Sequence, residues 1–193
     1  TINFNGSVAQ TIPSFNYNHL TSSSTGTRVL STSGTIGVAG VFTPSINVYT
    51  ITGSTINFNG AVAQSIPTFN YYNLSSSSTG TRTLVSGGTI GVAAVFLPGT
   101  NAYTVTNNTL MFNGTIAQAI PAFTYNNMIV AGSSTKSLSG NIIVNNDITI
   151  TSNLDVSGSN FSITVKRNWV NNGTFNAQNG AVVFIGAVAQ TLS

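Results

Sequence analysis

The sequence predicts an all-β chain folded as a parallel β-solenoid (β-helix), about 18 residues per coil and ten to eleven coils over residues 1–193. Three observations predict it. A motif of about a dozen residues recurs, apolar residues stay in register at a period of 18, and the composition is β-rich yet nearly uncharged.

The motif reads "TINFNGSVAQTIP" from Thr1, "TINFNGAVAQSIP" from Thr55, "LMFNGTIAQAIP" from Leu110 and "VVFIGAVAQTL" from Val182. Phe4, Phe58 and Phe112 stand 54 apart and Phe184 follows 72 later, both multiples of 18. The first two 54-residue blocks agree at 36 positions. Rows of 18 align Ile12, Leu30, Val48, Ile66, Leu84, Ala102, Ile120, Leu138 and Val156 in one column. A second column holds Ile2, Leu20, Val38, Ile56, Leu74, Val92, Leu110 and Met128. A fixed period of this length without a 3.6-residue helical pattern describes one coil of a stacked β architecture.

Within a coil, "TINFN" alternates with Ile2 and Phe4 on one face, and "SFNYN" does so with Phe15 and Tyr17. Face parity changes between them at Pro13, repeated as Pro67 and Pro121, and proline suits a corner because it cannot donate to a ladder. "GNIIVNNDITITSNLDVSGSN" continues the scheme, with strand pairs broken by Asn, Ser and Gly turns. The expected organisation is a single repetitive solenoid over 1–193: repeat 1 at 1–54, repeat 2 at 55–108, a longer repeat 3 at 109–180, and the start of the next at 181–193. At ~4.8 Å between stacked strands the coils predict a rod roughly 50 Å long. Because the chain opens and closes inside the same motif, with no polar cap in view, the expectation is a window of a longer repetitive polypeptide.

Composition excludes several functions. Arg28, Arg82, Lys136, Lys166 and Arg167 stand against Asp147 and Asp155, where an average soluble domain is roughly a quarter charged. Five scattered cations make no dense basic patch, so nucleic acid is not an expected partner. Without cysteine there is neither disulfide nor thiolate metal site. The longest apolar run, Ile90 to Leu97 across Gly91, falls short of the ~20 residues a membrane helix needs. No transmembrane segment is therefore expected in this window.

Chemistry is scarce in the same way. General acid–base catalysis needs converging titratable groups. This chain has no Glu, and its one His19 lies about seven coils from Asp147, roughly 34 Å away at the strand spacing. The expectation is no enzyme, no catalytic residue, no metal and no cofactor. His19 reads as a turn residue, since Asn73 replaces it in the second repeat. Two Asp cannot supply a calcium-binding nonapeptide array. Arg28, Arg82 and Lys136 recur at intervals of 54 and form the one candidate site, a surface contact row for acidic polysaccharide; the alternative is a solvated charge that keeps a nearly neutral rod soluble. Lys166, Arg167 and Trp169 suggest a small sugar or anion platform, or equally strand-edge residues with a capping aromatic. Thr pairs in "STGTR" evoke ice-binding ladders, but Ala61, Ala63, Leu97 and Gly99 interrupt them. Tyr17, Tyr71 and Tyr125 read as core with a polar tip.

The stretch "IPAFTYNNMIVAGSSTKSLSGNIIVNNDITITSNLDVSGSNFSITVKRNWVNNGTFNAQNGAVVFIGAVAQTL", with "TGTRTL", "GTIGVA" and "VNNGTFNA", resembles repeat segments of very large cell-surface proteins of Bacteroidota. The gliding-motility adhesins and related type IX-secreted proteins are closest in kind. The resemblance implies a secreted filament at the extracellular cell surface. It would attach to surfaces or polysaccharide, with neighbouring repeats of the same chain and motility or secretion machinery as further partners. It carries over no catalytic or binding residue.

The expected function is a structural and adhesive stalk segment of such a filament, mediating attachment and gliding. The alternatives are a carbohydrate- or ice-binding β-solenoid module and a phage or appendage fibre.

Overall fold

The computed structural model describes residues 1–193, as short strands joined by turns, bends and irregular segments, with no helix. The chain divides into two compact units, Thr1–Val85 with Leu97–Thr104, and Ser86–Phe96 with Val105–Ser193. Each is a parallel β-solenoid, and together they hold about nine turns of roughly 20 residues.

In the first unit, Ile2–Phe4, Leu20–Ser22 and Phe42–Thr43 form one parallel sheet, and Gln10–Ile12, Arg28–Leu30 and Tyr49–Thr50 another. Asn16–Tyr17, Ile36–Val38, Thr55–Phe58 and Asn70–Ser76 follow one another across a third. Gln64–Ile66 pairs with Arg82–Leu84 in the next. The second unit repeats the plan. Thr89–Leu97, Thr109–Phe112, Asn127–Val130, Ile148–Ile150 and Trp169–Asn171 share one sheet. Gln118–Ile120, Lys136–Leu138, Asn153–Asp155 and Thr174–Asn176 share a second, and Thr124–Tyr125, Ile142–Val144, Ile163–Val165 and Val182–Phe184 a third.

Strand alternation places the core. In Thr55–Phe58 the side chains of Ile56 and Phe58 point inward, as do Leu110 and Phe112 in Thr109–Phe112. Parallel pairing stacks like on like: Ile36 on Ile56 on Leu74, and Ile90 on Leu110 on Met128 on Ile148. Each inward face is completed only by the turns beside it, so stability is distributed along the stack. Edge-on aromatic packing fills the wide corners, with Phe69 at 5.3 Å from Phe42 and 4.9 Å from Tyr49 in one unit, and Phe123 at 5.3 Å from Phe96 in the other.

The coil count differs from the strict 18-residue expectation of ten to eleven coils. Paired strands are 18 residues apart at Phe4 and Ser22, 21 at Tyr17 and Val38, and 20 at Val38 and Phe58. The 54-residue repeat therefore holds fewer than three turns, and equivalent residues change sheet: Phe4 pairs with Ser22 in one sheet, whereas Phe58 pairs with Val38 in another. Corners of unequal length shift the register, and two positions of the first 18-residue column leave the core: Val48 is 70% exposed, and Ala102 is exposed as well.

Candidate functional site

Three short polar columns, two in the first unit and one in the second and each in its own sheet, stand beside the aliphatic core at the corner that follows each "FNG" loop. Gln10 pairs in register with Arg28 and Arg28 with Tyr49; Gln64 pairs with Arg82, and Gln118 with Lys136. The loops Gly6–Ala9, Gly60–Ala63 and Gly114–Ala117 leave the ladders, so their carbonyls and those of the facing turn need partners from elsewhere. The side chains of these columns supply them.

Arg28, Arg82 and Lys136 are each 0% exposed. The expectation of a surface contact row is thereby corrected: the three cations point into the stack. The Arg28 guanidinium donates to Phe4 O from Nε at 3.1 Å and Nη2 at 2.8 Å, to Gly6 O at 3.1 Å and Gly26 O at 2.7 Å, and to Ser23 O. Arg82 repeats the set one motif later without the Nε bond, donating to Phe58 O at 2.9 Å, Gly60 O at 3.0 Å, Gly80 O at 2.7 Å and Ser77 O. Lys136, a point charge with a smaller reach, donates to Gly114 O at 2.9 Å and Ser134 O at 2.7 Å. Backbone carbonyl dipoles take the place of a carboxylate, which makes the buried charge tolerable. Burial holds Arg82 and Lys136 below their ordinary pKa values.

The glutamines cap the other side of the corner. Gln64 accepts from the Gly60 N–H at 2.7 Å and donates to Val38 O and Gly40 O, both at 2.8 Å. Gln118 accepts from Gly114 N–H at 2.8 Å and donates to Val92 O at 2.9 Å and Ala94 O at 3.0 Å. Tyr49 donates to Ser22 Oγ at 2.6 Å, and Tyr103 to Ser76 Oγ at 2.7 Å. Burial raises the Tyr49 hydroxyl, opposed by the Ser22 bond and the Arg28 charge, and Tyr103 behaves likewise with Ser76 and Arg82.

The remaining candidates lie apart from these columns. His19 is half-buried and its Nδ1 accepts from the Val41 N–H at 3.1 Å, a turn role. Asp147 accepts from Asn168 N–H at 3.1 Å and faces Arg167 Nη1 at 3.6 Å. Asp155 accepts from Ser157 N–H at 2.6 Å and Asn176 Nδ2 at 2.7 Å, organising a turn. No group of three His, Cys, Asp or Glu side chains converges. Trp169 is 8% exposed and packs edge-on against Phe175 at 4.9 Å, while Lys166 and Arg167 point outward, so the three do not form one platform. Tyr17, Tyr71 and Tyr125 are buried, each hydroxyl bonded to the carbonyl of Pro13, Pro67 or Pro121 at 3.0, 3.2 and 2.9 Å. Phe15 is 63% exposed instead of sharing the core face of Tyr17. The outward columns are mixed and mostly uncharged, such as Asn3, Thr21, Thr43 and Ser65, Thr83.

Sequence reasoning missed the glutamines and the inward cations, although a signal existed. Arg28 and Leu30, Arg82 and Leu84, and Lys136 and Leu138 stand two apart on one strand, so period-two alternation puts each cation on the core face. Compared with protein-family models, curated proteins and solved structures, the chain matches none.

Proposed function

We propose that this chain is a structural and adhesive stalk segment of a secreted cell-surface filament, with attachment to surfaces or polysaccharide and gliding as its setting. One observation carries the reading: the repeat places its conserved-in-copy cations and amides, Gln64, Arg82, Gln118 and Lys136, against backbone carbonyls inside the stack. The repeated polar chemistry therefore holds turns together and leaves the outer faces to mixed columns of Thr, Ser and Asn with aliphatic side chains such as Val29 and Ile143 among them. Parallel ladders resist extension because many bonds share the load, and repeated outward columns allow weak contacts to act together. The mixed outward columns, with Val29 between Thr11 and Thr50, lack the flat threonine plane that ice binding needs.

The test is immunogold electron microscopy of cells that make the protein, joined to single-molecule pulling of the 193-residue chain. Label along surface filaments, with turns yielding one after another under load, supports the stalk. A compact secreted particle with no filament label overturns it.

A further inference from the structure

Five Asn-Gly dipeptides punctuate the chain, at Asn5, Asn59, Asn113, Asn172 and Asn179. Asparagine followed by glycine is the sequence most prone to spontaneous deamidation, because no Cβ hinders the glycine nitrogen. That nitrogen, after losing its proton, attacks the asparagine Cγ. A new N–C bond closes a succinimide and the side-chain nitrogen leaves as ammonia. Water then opens the ring at either carbonyl, giving aspartate or isoaspartate.

The reaction requires the glycine N–H to be released, and the structure treats the five sites unequally. At Asn59 the Gly60 N–H is held by Gln64 Oε1 at 2.7 Å, and Gln64 is itself buried and anchored on Val38 O and Gly40 O. At Asn113 the Gly114 N–H is held by Gln118 Oε1 at 2.8 Å, anchored on Val92 O and Ala94 O. Gly6 donates to Gln10 at 2.7 Å, and Gly180 to Ala177 O at 2.8 Å. Gly173 differs. Its N–H meets the side-chain oxygen of Asn171 at 3.2 Å, in an exposed contact, and both Asn172 and Gly173 are exposed.

We propose that Asn172 is a spontaneous modification site of this protein, and that Gln64 and Gln118 shield Asn59 and Asn113 from the same fate. Conversion at Asn172 adds a carboxylate to a chain with two. Isoaspartate also inserts a carbon into the backbone between two ladder positions, Ile150 with Asn171 and Asn153 with Thr174. The corner at Asn172 then no longer fits both pairings, so the residue marks the age of the molecule.

The test is peptide mapping by mass spectrometry, with isoaspartate detection, of the whole chain and its Gln64→Leu variant during incubation in mildly alkaline buffer. The wild type should convert Asn172 ahead of Asn59 and Asn113. Gln64→Leu should speed Asn59 by roughly tenfold, the scale of one lost hydrogen bond, while Asn113 in the same molecules keeps its rate. The proposal is overturned if Asn59 and Asn113 keep pace with Asn172 in the wild type, or if a folded Gln64→Leu chain leaves Asn59 unchanged. Should Gln64→Leu not fold, which a joint rise at Asn113 would reveal, the wild-type order of conversion decides.

Discussion

Arg82 Nη2 donates to the carbonyl oxygen of Phe58, 24 residues earlier, at 2.9 Å, and Arg28 makes the same bond to Phe4 at 2.8 Å. The guanidinium thus rivets one turn to the loop of its neighbour, using the planar fork that a lysine lacks. Its positive charge is answered by peptide dipoles alone, an arrangement that holds while all the carbonyls stay in place.

Replacing that fork should be costly. Arg82→Met leaves Gly60 O without its donor, while Phe58 O keeps the Ser77 N–H and Gly80 O keeps Asn101 Nδ2, and we expect a loss of about 2 kcal/mol by urea unfolding. A loss within the error of the measurement would mean that water enters and satisfies the corner.

Lys136 offers the converse experiment. Its ammonium reaches Gly114 O and Ser134 O, whereas Arg28 also reaches the carbonyls of Phe4 and Ser23, whose counterparts in the third repeat are Phe112 and Ala131. Lys136→Arg should therefore raise stability by about 1 kcal/mol. Destabilisation would show that the third corner is too narrow for the guanidinium.

Alkaline pH should loosen the fold. Burial raises the Tyr71 and Tyr125 hydroxyls well above the ordinary 10.0, with Tyr49 adding to the shift at Tyr71. Above pH 10.0 the unfolded chain loses these protons while the folded chain keeps them, so their stabilisation is complete below 10.0 and is lost as pH rises through the folded values. Lys136 acts in the opposite sense: burial lowers its pKa, so the cost of its buried charge is relieved as pH climbs toward 10.5. Five tyrosine hydroxyls, those of Tyr17, Tyr49, Tyr71, Tyr103 and Tyr125, are raised by burial against the one lysine, and they set the expected direction. Tyrosinate absorbance from the buried pair should appear together with loss of the β circular-dichroism signal; full ionisation in an intact fold would refute the assignment.

Two glycines make a paired steric test. A Cβ on Gly80 would lie 2.0 Å from Val62 O and 2.6 Å from Arg82 Nη1, so Gly80→Ala should destabilise by about 2–3 kcal/mol. Nothing stands within 4 Å of a Cβ on Gly158, and Gly158→Ala should stabilise by about 0.5 kcal/mol through the unfolded chain. Equal thermal shifts for the two variants would contradict this packing.

Much of the fold was legible in advance. Ile56, Leu74, Val92 and Leu110 fall inside as the 18-residue column requires, and Tyr71 is core with its hydroxyl on Pro67. The candidate site was legible only as a recurrence. The interval of 54 picks out Arg28, Arg82 and Lys136, but their inward direction emerges once Leu30, Leu84 and Leu138 are seen buried beside them.

The sequence by itself determined that apolar and hydroxyl residues alternate in short runs at a repeating interval, and this dictates parallel turns stacked like on like, because identical neighbours bury identical faces. Only the tertiary structure decided the turn lengths of 18 to 22 residues between paired strands and the carbonyl partners of the inward cations. Both depend on which loop carbonyls lose their ladder partners at a corner. That demand arises between turns, from residues 22 apart in the chain such as Arg82 and Gly60. Leu30, Leu84 and Leu138, two residues on, mark the inward face, but which carbonyls a buried cation meets is set only when neighbouring turns come together.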